Sequence, residues 1–447
     1  MQSIDITADR LISALFAISK SEQIAVLDSC GVGKTGSNLL IAGIAPVDEL
    51  EIFGSDPLES LRIFDEKLNS ANLSAIFTIS YDFGLSLDKI RPSSRTTKKS
   101  LEPDIYIALF DCLVIHDYDN GRTAICGNSD RFASIADALN EFSSFGEQPR
   151  IVVSKQADLR SNFTKSQYLK AIDKIKELIQ SGEIYQTNLT QQLSVELSKE
   201  MAAADIFFRL RRDHPSPFAA YIDRRSSQVV SASPEQFVRI SAGGNDERII
   251  SASPIKGTSP RGRSEEEDMA FQAELLASEK DRAENIMIVD LMRNDLSRVC
   301  SYGSVLVKAL CELEKHPTLL HLVSNVQGTL RNDATYTEII KAIFPCGSIT
   351  GAPKLRTMEI IEDIENTSRG LSMGAIGCRI PGKTFNIPEF FAMSVAIRTM
   401  VIRNHQAVFN VGGGVVIDSD PEEEFEESLL KAKALLTAMG IEQTKLG

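Results

Sequence analysis

The chain has no Cys-x-x-Cys pair and no cysteine–histidine cluster, and its seven cysteines are scattered at irregular spacing. Neither a disulfide framework nor a zinc site is expected, and a reducing cytoplasm is the setting that fits. Basic charge is also short. With 48 Lys and Arg against 61 Asp and Glu the net charge is -13, so nothing supplies the basic field that a nucleic-acid backbone requires. No apolar stretch approaches the ~20 residues needed to cross a bilayer. Met1–Thr7 has no basic segment ahead of an apolar core, so neither a membrane span nor a signal peptide is expected. Internal repeats and low-complexity tracts are missing too. What is present is a 447-residue chain, 43% hydrophobic and 24% charged, the balance of a soluble globular protein.

Residues 1 to 150 are poor in motifs. Ile24–Leu27 and Ile107–Phe110 read as strands, Arg91–Ser100 as a loop, and Phe142–Arg150 as a connector. Residues 151 to 447 are denser. Lys165–Ser181 reads as a helix with Leu169, Ile172, Ile175 and Ile179 on one face, and Thr164 with Gln167 fits a capping box. A strand follows over Ile184–Leu193, then strands at Val229–Ser233 and Val238–Ser241. Helices are expected after Ser264, over Asp281–Asp295 and over Pro421–Leu436, with strands at Phe391–Arg398 and Ala407–Val411. Strands and helices mix without strict alternation, so the expected class is α+β with large sheets.

The run Ser253-Pro-Ile-Lys-Gly-Thr258 holds the most informative residue, Lys256. A lysine between an apolar residue and a permissive glycine can stand on a pocket floor, where lost hydration favours the neutral, nucleophilic amine. A surface lysine in a turn is the plainer reading of the run alone. Asp28-Ser-Cys-Gly-Val-Gly-Lys34-Thr35 ends like a phosphate loop, but Asp28 stands where that loop needs glycine, so a simple turn is preferred.

Asp281 and Glu284 are three apart on one expected helix, and Glu424 and Glu427 on another. Each pair shares a helix face, and together they offer hard oxygen ligands to a divalent cation such as Mg²⁺. Solvated helix acid is the alternative. Glu235, just past Pro234, could be a general acid if burial raises its pKa. His321 lies in an apolar run, as a core histidine or a substrate donor. Gly347-Ser-Ile-Thr350, ahead of an expected helix, offers small residues and backbone amides. Arg398 could clamp a carboxylate, although turn or surface roles serve both segments equally.

These segments resemble the chorismate-utilising enzymes. The matching pieces are Gly182–Leu189, Ser233–Glu235, Pro254–Thr258, Lys280–Asn285 with Ile288–Asp295, His321–Ser324, Gly347–Lys354, Ala396–Thr399 and Gly412 through Glu427, in the family's order. The resemblance implies a large two-sheet α/β sandwich, with residues 1–150 as the N-terminal region of the anthranilate synthase component I type and 151–447 as the chorismate-binding catalytic region. It implies Glu284 and Glu427 as direct Mg²⁺ ligands, with Asp281 and Glu424 outer or water-mediated. Glu235 would assist departure of the ring C4 hydroxyl. Arg398 and Gly347, Ser348 and Thr350 would hold substrate carboxylates, with Gln186, His321 and Gly413 also lining the substrate.

Two positions sort the branches. Isochorismate and salicylate synthases place a water-activating lysine where this chain has Gln186, and anthranilate synthases typically have Ala at the place of Lys256. The resemblance therefore points to the aminodeoxychorismate branch, with amination at C4, Lys256 as nucleophile, and ammonia from a separate glutamine amidotransferase subunit. Anthranilate synthesis, amination at C2 with pyruvate release, is the alternative. Ser372 stands where the family usually has Tyr or Trp, and Val26–Ser29 is only loosely like the tryptophan-binding segment of anthranilate synthases.

Overall fold

The computed structural model describes residues 1–34, 37–54, 56–91, 101–143, 159–244, 247–315 and 319–441. The loop expected over 91–100 lies outside this range beyond Arg91, as does the connector expected over 142–150 beyond Ser143, and Thr35 of the glycine-containing run. Strands Ser74–Ile79 and Ile105–Phe110 are buried at every position. Their alternate residues enter different cores: Phe77 and Ile79 pack on one side, Ile76 on the other. A strand buried on both faces has no polar alternation to show, so it reads in the sequence as a continuous apolar run.

Among the described residues the strands form one sheet of twelve and one of ten. Between them lies a core to which both contribute: Ala25, Ile41, Ala220 and Val229 from the larger, Ile76, Tyr106, Ala108 and Ile376 from the smaller. The outer face of the larger sheet, with Val26, Leu40 and Val230, is covered by helices Ala8–Ile18, Ala203–Asp213 and Pro421–Ala438. The outer face of the smaller, with Phe77, Val238 and Ile250, is covered by Pro57–Leu68, Glu279–Ser297 and Tyr336–Ile343. The fold is the expected α+β two-sheet sandwich with helices outside. A fully buried residue such as Leu15 or Phe64 contributes roughly 1.5–3 kcal/mol to holding these layers. Residues 1–150 and 151–447 share both sheets: Ile24–Asp28 pairs with Phe218–Arg224, and Ser74–Ile79 with Ala375–Ile380.

Two of the places where the chain passes from one sheet to the other are neighbours. Strand Ser227–Ser233 belongs to the larger sheet and Gln236–Ala242 to the smaller, so Pro234 and Glu235 form the crossing. Strands Phe390–Val395 and Thr399–Arg403 make the reverse passage through Ala396–Arg398. The crossings are bonded together: Ser233 Oγ donates to Val395 O at 2.6 Å, and Val395 N donates to Glu235 O at 3.1 Å.

Helix Lys165–Gln180 starts with the expected capping box, Thr164 and Gln167 each bonding the other's backbone N–H. It packs with helix Pro421–Ala438 and helix Lys354–Ile364 around the start of strand Gln186–Glu196 through Tyr168, Ile172, Phe425 and Ile360. The same region is pinned by a buried ion pair. Arg369 donates to both oxygens of Glu365 (2.7 and 2.8 Å), to Ile349 O (3.0 Å) and to Asn188 O (2.9 Å). Glu365 in turn accepts from Thr190 N at 2.7 Å. Replacing Arg369 by Met should strand a carboxylate that is 3% exposed. The expected cost is about 3–5 kcal/mol, read as a lowered urea midpoint.

Candidate active site

Lys256 lies on strand Ile255–Pro260, where the pairing with Leu319–Thr329 slips between Ile255 and Thr258. Such a bulge re-aims a side chain. Gly257 takes φ +84, a conformation that favours glycine, and a Cβ there would crowd Asp281 Cγ and Leu275 Cδ1 at 3.1 Å. The lysine side chain is 15% exposed, and its Nζ lies 3.6 Å from Glu284 Oε2. Gln186 Nε2 lies 3.5 Å from the same oxygen, while Gln186 Oε1 is buried with no partner among the described residues. Gly414 makes the room. A Cβ there would press into the Gln186 amide and come within 3.2 Å of Lys256 Nζ.

Glu235 is 5% exposed on the first crossing. Burial pushes its carboxyl up to about 7, against the opposing pull of Ser348, Lys256 and the Ile255 backbone. Its Oε1 has no hydrogen-bond partner among the described residues. A carboxyl that keeps its proton near neutrality is suited to general-acid work.

Arg398 stands on the second crossing with φ +47, a left-handed conformation that costs a non-glycine residue roughly 1–2 kcal/mol. Burial lowers its pKa, and among the described residues its guanidinium has no ion-pair or hydrogen-bond partner. An unpaired guanidinium is a receptor for a carboxylate. His321, 5% exposed, faces Thr258 Oγ1 through Nδ1 at 2.9 Å, on the strand beside Lys256. Gly347–Ile349 forms one 3₁₀ turn ahead of helix Lys354–Ile364. Gly347 is pressed against the helix of Glu284, where a Cβ would stand 2.5 Å from Leu291 Cδ2. Thr350 directs its hydroxyl at Cys346 O (3.1 Å) and Gly347 O (3.3 Å), so its side chain closes the turn. Ser348, 7% exposed, faces Glu235.

The acidic pairs lie on helices Glu279–Ser297 and Pro421–Ala438. Glu284 reaches Lys256. Glu424 Oε2 and Glu427 Oε1 stand 3.1 and 3.8 Å from where a Cβ on Gly413 would be. Successive residues of a strand point to opposite faces, so Gly413 turns to these acids and Gly414 to the lysine. Lys280, beside Asp281, lies 3.8 Å from Glu424 and links the two helices. Burial raises the Glu424 carboxyl, outweighing the Ser419 hydroxyl that donates to it at 2.6 Å. Burial acts the same way on Glu427, but Lys431, Lys280 and Lys256 together hold that carboxyl below its ordinary value. Among the described residues no three His, Cys, Asp or Glu side chains form a ready metal cluster. The donors nonetheless suit a hard dication: carboxylate oxygens above a glycine whose missing side chain leaves them room.

Three residues escaped the sequence reading. Gly414 is found only by pairing strand Gln406–Val415 with Gln186–Glu196, which sets it opposite Asn188. Lys431, at 2.7 Å from Glu427 and 2.9 Å from Gly412 O, lies one helical turn beyond Glu427, a spacing that was available. Lys280 was quoted only as part of a motif. The Val26–Ser29 segment has another partner: Asp28 is buried and accepts from Arg211 Nε (2.7 Å) and Tyr118 Oη (2.8 Å). The glycine-containing run leads from strand Ile24–Asp28 to strand Leu39–Ile44 rather than into a helix, and Lys34 pairs with Glu314 at 2.6 Å. Ser372 accepts from Asn410 N at 3.1 Å, joining the backbone of strand Gln406–Val415. Among the described residues no helix is long and apolar enough to cross a membrane.

Comparison with known proteins places the chain in a family. Residues 25–437 match the chorismate binding enzyme family. The chain is 35% identical to aminodeoxychorismate synthase component 1 of Bacillus subtilis (strain 168), covering 93% of this chain and 88% of that one. It is 37% identical to anthranilate synthase component 1 of Aquifex aeolicus (strain VF5), covering 76% and 69%. The solved anthranilate synthase component I of Streptococcus pneumoniae TIGR4 shares the fold, with TM-score 0.75, 24% identity, and 97% and 100% coverage. The menaquinone-specific isochorismate synthase of Escherichia coli does so at TM-score 0.73, 15% identity, and 98% and 92% coverage. With its sheets, crossings and facing glycines assembled as described, the chain belongs to the chorismate binding enzyme family and is a chorismate-utilising enzyme.

Proposed function

We propose that this enzyme aminates chorismate at C4, giving 4-amino-4-deoxychorismate for 4-aminobenzoate and folate synthesis, with ammonia from a glutamine amidotransferase partner. The observation that carries the reading is the placement of Lys256. A mostly buried amine stands at a bulge, against Glu284 and in the field of the buried acid Glu235. The resemblance to an aminodeoxychorismate synthase component 1 over most of both chains supports the branch.

The chemistry balances with these groups. The neutral amine of Lys256 forms a bond to ring C2, the double bond shifts, and the C4–O bond breaks. Glu235 gives its proton to the departing hydroxyl, which leaves as water. Ammonia then bonds to C4, the double bond shifts back, the lysine nitrogen leaves C2 with its bonding pair as the neutral amine, and the new C4 ammonium returns a proton to Glu235. Arg398 and the Gly347–Ile349 turn orient the carboxylates, which fixes the face of the ring presented to Lys256. Glu284 and Glu427, with Asp281 and Glu424 behind, would hold Mg²⁺, which when bound supplies positive charge to a ring carboxylate.

Incubation with chorismate, Mg²⁺ and ammonium, with products resolved by chromatography and mass, tests the reading. The expected product is C4-aminated and non-aromatic; anthranilate with pyruvate would overturn it in favour of C2 amination. Lys256→Ala should lower kcat by about a thousandfold or more while keeping the fold. An unchanged rate would remove Lys256 as nucleophile.

Glu235→Gln should lower kcat by about 100- to 10,000-fold. Wild-type activity should fall as pH rises through about 7, where Glu235 loses its proton. The stability effect has a definite sign. The folded carboxyl binds its proton more tightly than the unfolded chain does. The associated stability is therefore complete below the ordinary glutamate range and lost as pH rises through about 7. The glutamine variant should accordingly gain thermal stability over wild type at pH 8 more than at pH 5; the reverse trend would contradict a buried, protonated acid.

A further inference from the structure

We propose that Thr399 is a positioning residue for Arg398: its hydroxyl, with those of Ser231 and Ser372, holds the left-handed backbone from which the guanidinium is aimed at a substrate carboxylate. This rests on the reading of Arg398 as a carboxylate receptor and extends it to the groups that fix its direction.

Arg398 has φ +47, in a crossing that leads from strand Phe390–Val395 to strand Thr399–Arg403. A non-glycine residue stays in that region only where its surroundings hold it there. The direction in which a side chain leaves the backbone changes with φ, so relaxation to an extended conformation would swing the guanidinium away. The carbonyls of Arg398 and its two neighbours are each tied. Ile397 O accepts from Thr399 Oγ1 at 2.9 Å, Arg398 O from Ala232 N at 3.0 Å, and Thr399 O from Ser372 Oγ at 3.4 Å. Ile397 N donates to Val395 O at 2.8 Å, which closes a tight turn just ahead of the arginine.

The hydroxyl of Thr399 carries one hydrogen, and Ile397 O takes it. Ser231 Oγ lies 2.7 Å from Thr399 Oγ1, so the serine donates and the threonine accepts. Ser231 stands opposite Thr399 in the pairing of strand Ser227–Ser233 with strand Thr399–Arg403. Both residues are buried, so a lost partner is not replaced by bulk water and the group left behind bears the full cost. Thr399 is thereby locked between the strand of the first crossing and the backbone just before Arg398. Ser372, also buried, accepts from Asn410 N at 3.1 Å. Its hydroxyl ties the second crossing to strand Gln406–Val415, the strand of Gly413 and Gly414. A small hydroxyl residue, in place of the family's usual aromatic ring, makes that tie.

The test measures kcat and KM for chorismate with saturating ammonium and Mg²⁺, using the full chain. Arg398→Ala should raise KM about 10- to 100-fold, the range for a lost hydrogen bond to a charged group. Thr399→Val keeps the shape and removes the hydroxyl. It should raise KM roughly 3- to 10-fold with kcat nearly unchanged, and Thr399→Ser should restore KM. In the Arg398→Ala background Thr399→Val should raise KM no further, because the group it aims is gone. An equal rise in both backgrounds, or an unchanged KM in Thr399→Val alone, would overturn the positioning role while leaving Arg398 a receptor. An unchanged KM in Arg398→Ala would defeat the reading of Arg398 itself, and the proposal with it. If Thr399→Val fails to fold, Ser231→Ala should raise KM in the same sense by less, again only while Arg398 is present. An unchanged KM there would overturn the role equally.

Discussion

The guanidinium of Arg369 is the constraint on which the geometry of the site depends. It is 4% exposed and joins segments far apart in the chain: Glu365 after helix Lys354–Ile364, the carbonyl of Asn188 beside Gln186, and the carbonyl of Ile349 in the turn of Ser348. The guanidinium also lies over the Tyr81 ring, 4.5 Å away, which brings in the N-terminal region. Asp82 accepts from Gly370 N next door, with its carboxyl pushed up to about 7 by burial. A buried charge holds only when every donor finds an acceptor. The arrangement therefore fixes the strand of Gln186 and the turn of Ser348 relative to each other with little freedom.

Around that joint the cleft sets opposed groups against one another. Lys256 enters because Gly414 has no side chain, and the carboxylates of the last helix enter because Gly413 has none. The two glycines are adjacent, so one short stretch of backbone makes room for both the amine and the two carboxylates, and Lys256 is near enough to pull on Glu427. Glu235 is kept protonated by burial, yet Lys256 and Ser348 pull the other way. The acid is thus poised near neutrality rather than locked in one state. Arg398 supplies a positive group with no protein partner among the described residues, held in a strained backbone conformation where the chain changes sheets.

Much of this was legible in the sequence because it is local. Thr164 with Gln167 announced a capping box, and a helix was expected from Pro421, and both are present. The run Ile107–Phe110 declared itself by continuous apolarity, and the strand extends back to Ile105. Lys256, Glu235 and Arg398 were each visible as residue types in suggestive runs. Their convergence was not, because it depends on pairings such as Gln186–Glu196 with Gln406–Val415, between residues distant in the chain. The opposite facings of Gly413 and Gly414 follow from register, which the sequence does not print. Thr350 resembled a ligand because a hydroxyl in a small-residue turn serves the turn or the substrate equally well until the carbonyls of Cys346 and Gly347 are seen beside it.

The central claim is that Lys256 attacks the ring. The most direct measurement is the mass of the intact protein, with peptide mapping, after mixing with chorismate and Mg²⁺ in the absence of ammonia. The account predicts an added mass of chorismate less one water on the peptide containing Lys256, discharged when ammonium is supplied. An unmodified Lys256 in a preparation that turns over chorismate and ammonium would contradict it.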